Sequence, residues 1–231
     1  KVLNTWQIWD STDIENNRIS KKVKPDFEAI TNITIQNDSV LLIFGSGTKA
    51  VKREYIIEAH ITPNQFAYRK NAQKLYEWIK KQANLGEDEL NIEGACSLPE
   101  DILITNRHNN QVYQINKKGL LNYLENNDLS LLSMKIWHFK LPVVGKDTAR
   151  LSGATRIPNT NIICFSASIE SSDNWVDDGK ILGSFVGLIN WDTKEYFSTK
   201  LELKNKADFK GKLEAIEFNG FKNNSLNLIG I

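Results

Sequence analysis

The stretch Asn91-Ile92-Glu93-Gly94-Ala95, followed after a short turn by Asp101-Ile102-Leu103-Ile104-Thr105-Asn106-Arg107, sets the reading of the whole chain. It opens with an apolar residue, an acidic residue and a small residue. It closes with an almost wholly apolar run that ends in polar side chains. Three other segments repeat this pattern. Asp26-Phe27-Glu28-Ala29-Ile30 precedes the run from Ser39 to Gly47, and Arg150-Leu151-Ser152-Gly153-Ala154 precedes the run from Asn161 to Ser168. Lys212-Leu213-Glu214-Ala215-Ile216 precedes the last run, Ser225 to Ile231. With the Glu or Ser as marker, the repeats follow one another at intervals of 65, 59 and 62 residues.

A steady period of about 60 residues with two adjacent β-runs per unit predicts an all-β fold, the β-propeller, with loop insertions in each blade. The continuous apolarity of the second run suits a strand packed on both faces by neighbouring blades. Small residues after each marker (Ala29, Gly94, Gly153, Ala215) suit a crowded innermost strand. Outer strands are expected at Glu54 to Ile61, Gln111 to Ile115 and Ser133 to Leu141. A hairpin is expected from Gly183 to Asp192 and Glu195 to Leu203. Helices are expected over 118–126 and over 64–83, the latter carrying Phe66, Leu75, Trp78 and Ile79 and capping one end of the propeller. The fourth repeat stops after its second strand, and residues 1–25 read as the outer part of a blade. The expectation is a single propeller domain over residues 1–231, incomplete at both ends, with about five or six blades in the full protein.

Composition narrows the function classes. The 29 Lys and Arg nearly balance 28 Asp and Glu, which argues against a protein built to grip nucleic-acid backbone. Apolar runs such as Val40 to Phe44 fall far short of the roughly 20 residues a membrane helix needs, so a soluble chain with no membrane partner is expected. Two cysteines, Cys96 and Cys164, lie in or beside apolar β-runs and read as buried free thiols, compatible with cytoplasm or periplasm.

The phrases Lys-Pro-Asp-Phe-Glu-Ala (24–29), Leu-Leu-Ile-Phe-Gly-Ser-Gly (41–47), Leu-Asn-Ile-Glu-Gly-Ala (90–95) and Leu-Ser-Gly-Ala (151–154) occur in that order. Ser-Ala-Ser-Ile-Glu (166–170) and Asp-Asp-Gly-Lys-Ile-Leu-Gly-Ser-Phe-Val-Gly (177–187) follow. Together they resemble an uncharacterised bacterial propeller family known only as a domain of unknown function, distantly similar to the SdiA-regulated and esterase-like phytase propellers. The pattern departs at Asn106-Arg107-His108-Asn109, where the family leads one to expect glycine in place of His108. The resemblance implies the fold and a calcium-dependent ancestry, with no established reaction.

Equivalent positions of successive blades form a ring around the central channel, and Glu28, Glu93, Ser152 and Glu214 share one such position. Carboxylates gathered at a narrow mouth repel one another, which raises their pKa values or calls for a cation. Glu28, Glu93 and Glu214 are the candidate metal ligands, and Ca²⁺ is the ion that such hard oxygen donors suit. The alternatives are that they close the ring as hydrogen-bond acceptors, or that they act as catalytic carboxylates. A second layer comes from the ends of the apolar strands: Ser46, Asn106, Arg107, Ser166 and Ser168. Arg107 is suited either to an anionic ligand or to an ion pair with Glu93.

The expected function is binding of a small molecule or cation at the channel mouth. A Ca²⁺-dependent hydrolase of an ester, lactone or phosphoester, and a protein-interaction scaffold using the outer loops and the 64–83 helix, are the two other readings. The loop Asp173 to Gly179 fails the calcium-loop pattern because Val176 stands where an oxygen ligand is required, although Trp175 on it could serve as a ligand platform. Gly45-Ser46-Gly47-Thr48-Lys49 lacks the ending of a phosphate-binding loop, and His60, His108 and His138 are isolated.

Overall fold

A computed structural model describes residues 8–9, 14–15, 18–20, 23–61, 66–171 and 179–231. Strands dominate, and the described residues contain two helices. The chain divides into two compact units, residues 1–90 and 91–231. Most of residues 1–25 lie outside the described residues, as do Asp173 to Asp178 with Trp175 among them.

In the first unit, β1 (Ile14–Glu15) pairs with β2 (Arg18–Ile19). Then β3 (Phe27–Ile35), β4 (Asp38–Gly45), β5 (Tyr55–His60) and β6 (Phe66–Asn71) form an antiparallel meander in chain order. β3 alternates cleanly, with Ala29, Thr31 and Ile33 buried and Ile30 and Asn32 exposed, as expected when one face of a strand meets the core. Gln36 and Asn37 both have positive φ and make the two-residue hairpin turn whose twist matches the flanking strands.

Helix α1 (Gln73–Ala83) buries Leu75, Tyr76 and Ile79 and ends on Asn84 in the left-handed conformation. The helix expected over 64–83 is therefore shorter. Phe66–Asn71 is the edge strand of the meander, paired residue by residue with β5. Phe66 stacks on His60 with ring centroids 4.3 Å apart, and Tyr68 meets the same imidazole edge-on. These cross-strand ring contacts outweigh the weak helical spacing of Phe66 relative to Leu75.

The second unit contains β7 (Ile92–Ser97), β8 (Asp101–Asn106), β9 (Gln111–Asn116) and β10 (Met134–His138), again an antiparallel meander in chain order. Helix α2 (Lys117–Asn126) bridges the last two strands. A small hairpin of β11 (Val143–Val144) and β12 (Asp147–Thr148) leads to a third meander. This one is β13 (Arg150–Arg156), β14 (Ile162–Ser171), β15 (Lys180–Asn190) and β16 (Tyr196–Lys200). The last hairpin is β17 (Ile216–Lys222) and β18 (Ser225–Gly230), turned by Asn223 and Asn224 with positive φ.

Within this unit the first strands lie side by side. A Cβ on Gly94 would come within 2.9 Å of the Ala154 backbone nitrogen, and one on Gly153 within 3.1 Å of the Ala215 Cα. Only glycine lets the backbones approach this closely. The two faces of β14 serve different neighbours. Ile163, Phe165, Ala167 and Ile169 join Cys96, Leu103 and Val112 in one buried cluster, while Cys164 on the opposite face packs with Ile157 and Ile216. This explains why the second run of the repeat is apolar throughout.

Candidate functional site

The marker of each repeat occupies a distinctive backbone position. Glu28, Glu93 and Ser152 are each the extra residue of a β-bulge, skipped where the first strand pairs with the second. In the fourth repeat the backbone nitrogens of Glu214 and Ala215 both donate to the carbonyl of Ile231, the same two-against-one arrangement. A bulge re-aims a side chain at a strand end, so the repeat pattern reflects a recurrent backbone device.

Glu28 belongs to the first unit and is exposed. In that unit Ser46 Oγ donates to Asp26 Oδ2 at 3.0 Å, and Arg53 Nη1 lies 2.5 Å from the same carboxylate. Lys24 adds a further ion pair at 2.9 Å. Burial would raise the Asp26 carboxyl, but Lys24, Arg53 and the Ser46 hydroxyl together hold it below the usual carboxylate value.

The second unit assembles a larger charged cluster. Arg107 follows β8 and donates from Nη2 to Glu170 Oε1 at 2.5 Å, while its Nε stands 3.9 Å from Glu93 Oε1. Lys212 Nζ reaches the same Glu170 oxygen at 3.1 Å and Glu214 at 3.0 Å. Arg150 donates to the backbone carbonyl of His108, which ties the 106–110 turn to the start of β13.

Glu93 accepts a hydrogen bond from Asn91 Nδ2 at 3.1 Å. Burial pushes its carboxyl above the usual value, only partly offset by Arg107 and Lys212. Burial would also lower Lys212, but its bonds to Glu214 and Glu170 outweigh that and keep its ammonium above the ordinary value. Glu214 is the outlier of the cluster, with 59% of its side chain exposed.

The remaining expected residues divide by role. Asn106 is fully buried. Its Oδ1 accepts the Asn91 backbone N–H at 2.8 Å and its Nδ2 donates to Asn109 and Tyr113, so it braces the strand ends. Ser152 Oγ donates to the Leu213 carbonyl at 2.5 Å and lies 3.2 Å from Ser166 Oγ, which fastens the third meander to the segment before β17. Ser168 is fully buried, yet its hydroxyl has no hydrogen-bond partner, and Arg107 Nη1 is likewise buried without an acceptor.

Among the described residues, no three His, Cys, Asp or Glu side chains converge as a metal-holding group. Cys96 and Cys164 are free and buried, with thiols pushed by burial to about 12 and about 11, so neither is a nucleophile at neutral pH.

Of the two roles expected for Arg107, the ion pair with Glu93 is the looser contact, and its closer partner, Glu170, was not among the expected site residues. Glu170 extends the face of β14 that carries Ser166 and Ser168, two residues further along, so the period of two was the available signal. Lys212, Arg150, Asn91 and Asp26 all stand two residues before a marker, a polar position of the repeat that was also readable.

A family match spans residues 1–230 and so includes both compact units. The chain belongs to a family of unknown function, DUF6929. This agrees with the resemblance to an uncharacterised family drawn from the repeat phrases. No curated protein matches the sequence.

Proposed function

We propose that this chain folds as blades of a β-propeller and that the strand-end cluster of its second unit binds a small polar ligand. Three features support the propeller reading: the bulged marker of three repeats with its hydrogen-bond counterpart in the fourth, the meanders in chain order, and the glycine-mediated approach of first strands in the second unit. In a propeller, equivalent strand ends gather around one mouth.

The observation that carries the binding reading is Arg107. Its guanidinium is oriented by Glu170 and Glu93 yet retains a buried donor without an acceptor. A guanidinium fixed by two carboxylates is pre-organised for a further acceptor, which lowers the ordering cost of binding. Each carboxylate of the cluster already has a basic or amide partner, which favours an organic ligand over Ca²⁺.

The test is a thermal-shift screen of small polar metabolites on EDTA-treated protein, with calcium chloride as a separate arm. Several saturable stabilisers whose effect disappears in Arg107→Gln are expected. A screen without such compounds would remove the binding reading, and calcium-dependent stabilisation lost in Glu93→Ala would replace it with a cation site.

A further inference from the structure

We propose that the cluster takes a small carboxylate monoanion, held between Arg107 Nη1 and Ser168 Oγ. This rests on the reading of the strand-end cluster as a ligand site and specifies its chemistry. Two buried donors of the second unit, Arg107 Nη1 and Ser168 Oγ, lack acceptors. Ser168 and Glu170 lie on one face of β14, and Glu170 grips the guanidinium whose other terminal nitrogen is unpaired. A buried donor without a partner costs about 1–3 kcal/mol, and Arg150, the cross-strand partner of Ser168, also reaches the Arg107 carbonyl, so both donors belong to one linked set of side chains.

The neighbouring hydroxyls show what is unusual about Ser168. Ser152 donates to the Leu213 carbonyl, Ser166 contacts Ser152, and Ser184, the cross-strand partner of Ser168, donates to the Gly211 carbonyl at 2.8 Å. Each of these serines has a protein partner within its fold, whereas Ser168 has none.

Charge selects the class of acceptor. Arg107, Arg150 and Lys212 face Glu93, Glu170 and Glu214 across this cluster. A dianion such as phosphate would crowd two carboxylates, Glu93 and Glu170, that already hold Arg107. A single negative charge meets less repulsion, and its oxygen pair can accept from one guanidinium nitrogen and one hydroxyl together. A neutral acceptor would forgo the attraction of the guanidinium.

The experiment titrates sodium acetate and sodium glycolate into the full chain, read by thermal shift and calorimetry. Sodium chloride at matched ionic strength, inorganic phosphate and calcium chloride run as separate arms. Ser168→Ala removes the unpaired hydroxyl and no bond of the fold, so it keeps the test clear if Arg107→Gln fails to fold. Saturable stabilisation by a carboxylate is expected, weakened about tenfold in Ser168→Ala, the equivalent of one hydrogen bond to a charged group.

Carboxylate binding that Ser168→Ala leaves unchanged overturns the proposal. Ser168-dependent binding of chloride, phosphate or calcium without carboxylate also overturns it, while the ligand-site reading stands. If carboxylates fail but the metabolite screen yields Arg107-dependent stabilisers, only the carboxylate class is lost. If both fail, the two donors meet only water and both readings fall.

Discussion

Ser46 and Ser168 stand at the same place in their repeats, one residue beyond the partner of the bulge, but they have different surroundings. Ser46 donates to Asp26, whose carboxylate also holds Arg53 and Lys24. Ser168 is equally buried and donates to nothing. Arg107, at the corresponding position of the second repeat, is gripped by Glu170 and keeps one nitrogen unpaired. In the first unit Arg53 Nε also lacks an acceptor, but the hydroxyl beside it is already committed to Asp26. One backbone device thus supports two outcomes: a corner of the first unit that closes on its own carboxylate, and corners of the second unit where Arg107 Nη1 and Ser168 Oγ have no acceptor.

The largest expected effect probes the small residues beside the markers. Gly94→Ala would press a methyl against the Ala154 backbone and is expected to cost about 3 kcal/mol, whereas Ala29→Gly at the same repeat position should cost about 1 kcal/mol. Urea midpoints measure both. Equal losses would mean that the first strands of the second unit approach no more closely than that of the first.

Next come the carboxylates that anchor each corner. Glu170→Ala leaves Arg107 and Lys212 without their shared partner and is expected to cost about 3 kcal/mol. Asp26→Asn keeps the positive φ that Asn tolerates well and removes only charge, for about 2 kcal/mol. If Glu170→Ala is the milder of the two in chemical denaturation, the second corner is not organised by that residue.

The two serines sharpen the contrast at smaller scale. Ser46→Ala should lose about 1 kcal/mol, while Ser168→Ala should be neutral or slightly stabilising in ligand-free protein because it removes an unsatisfied buried group. A measurable loss for Ser168→Ala would show that its hydroxyl is already satisfied.

The smallest effect is read in pH dependence. The Asp26 carboxyl is depressed in the fold, so its contribution is present above the ordinary value of 3.8 and disappears as pH falls through the lower folded value. Glu93 is raised, so its stabilising balance holds below the ordinary value of 4.5 and is lost as pH rises through the folded value. Glu93→Gln should therefore melt higher than the parent at pH 8 and show no advantage at pH 4. An advantage that persists at pH 4 would assign the effect to packing rather than ionisation.

Much of the architecture was legible because its signals are local. The Gln36-Asn37 and Asn223-Asn224 turns and a helix beginning one residue before the expected 118–126 follow from short stretches of chain, whereas the bulges at Glu28, Glu93 and Ser152 emerge only from the strand pairing. The strand at Phe66–Asn71 was not legible. Its aromatics fit helical spacing loosely, and only the facing residues of β5 decide between helix and strand.

The sequence alone determined the repeat, the all-β class, and Arg107 as a charged side chain at a strand end, because periodicity is written into neighbouring residues. Tertiary structure alone decided that Arg107 meets Glu170, 63 residues away, that Lys212 shares that carboxylate, and that Ser168 goes unpaired. Those outcomes depend on the reach of side chains from separate sheets after the backbones have packed, and no local pattern encodes that distance.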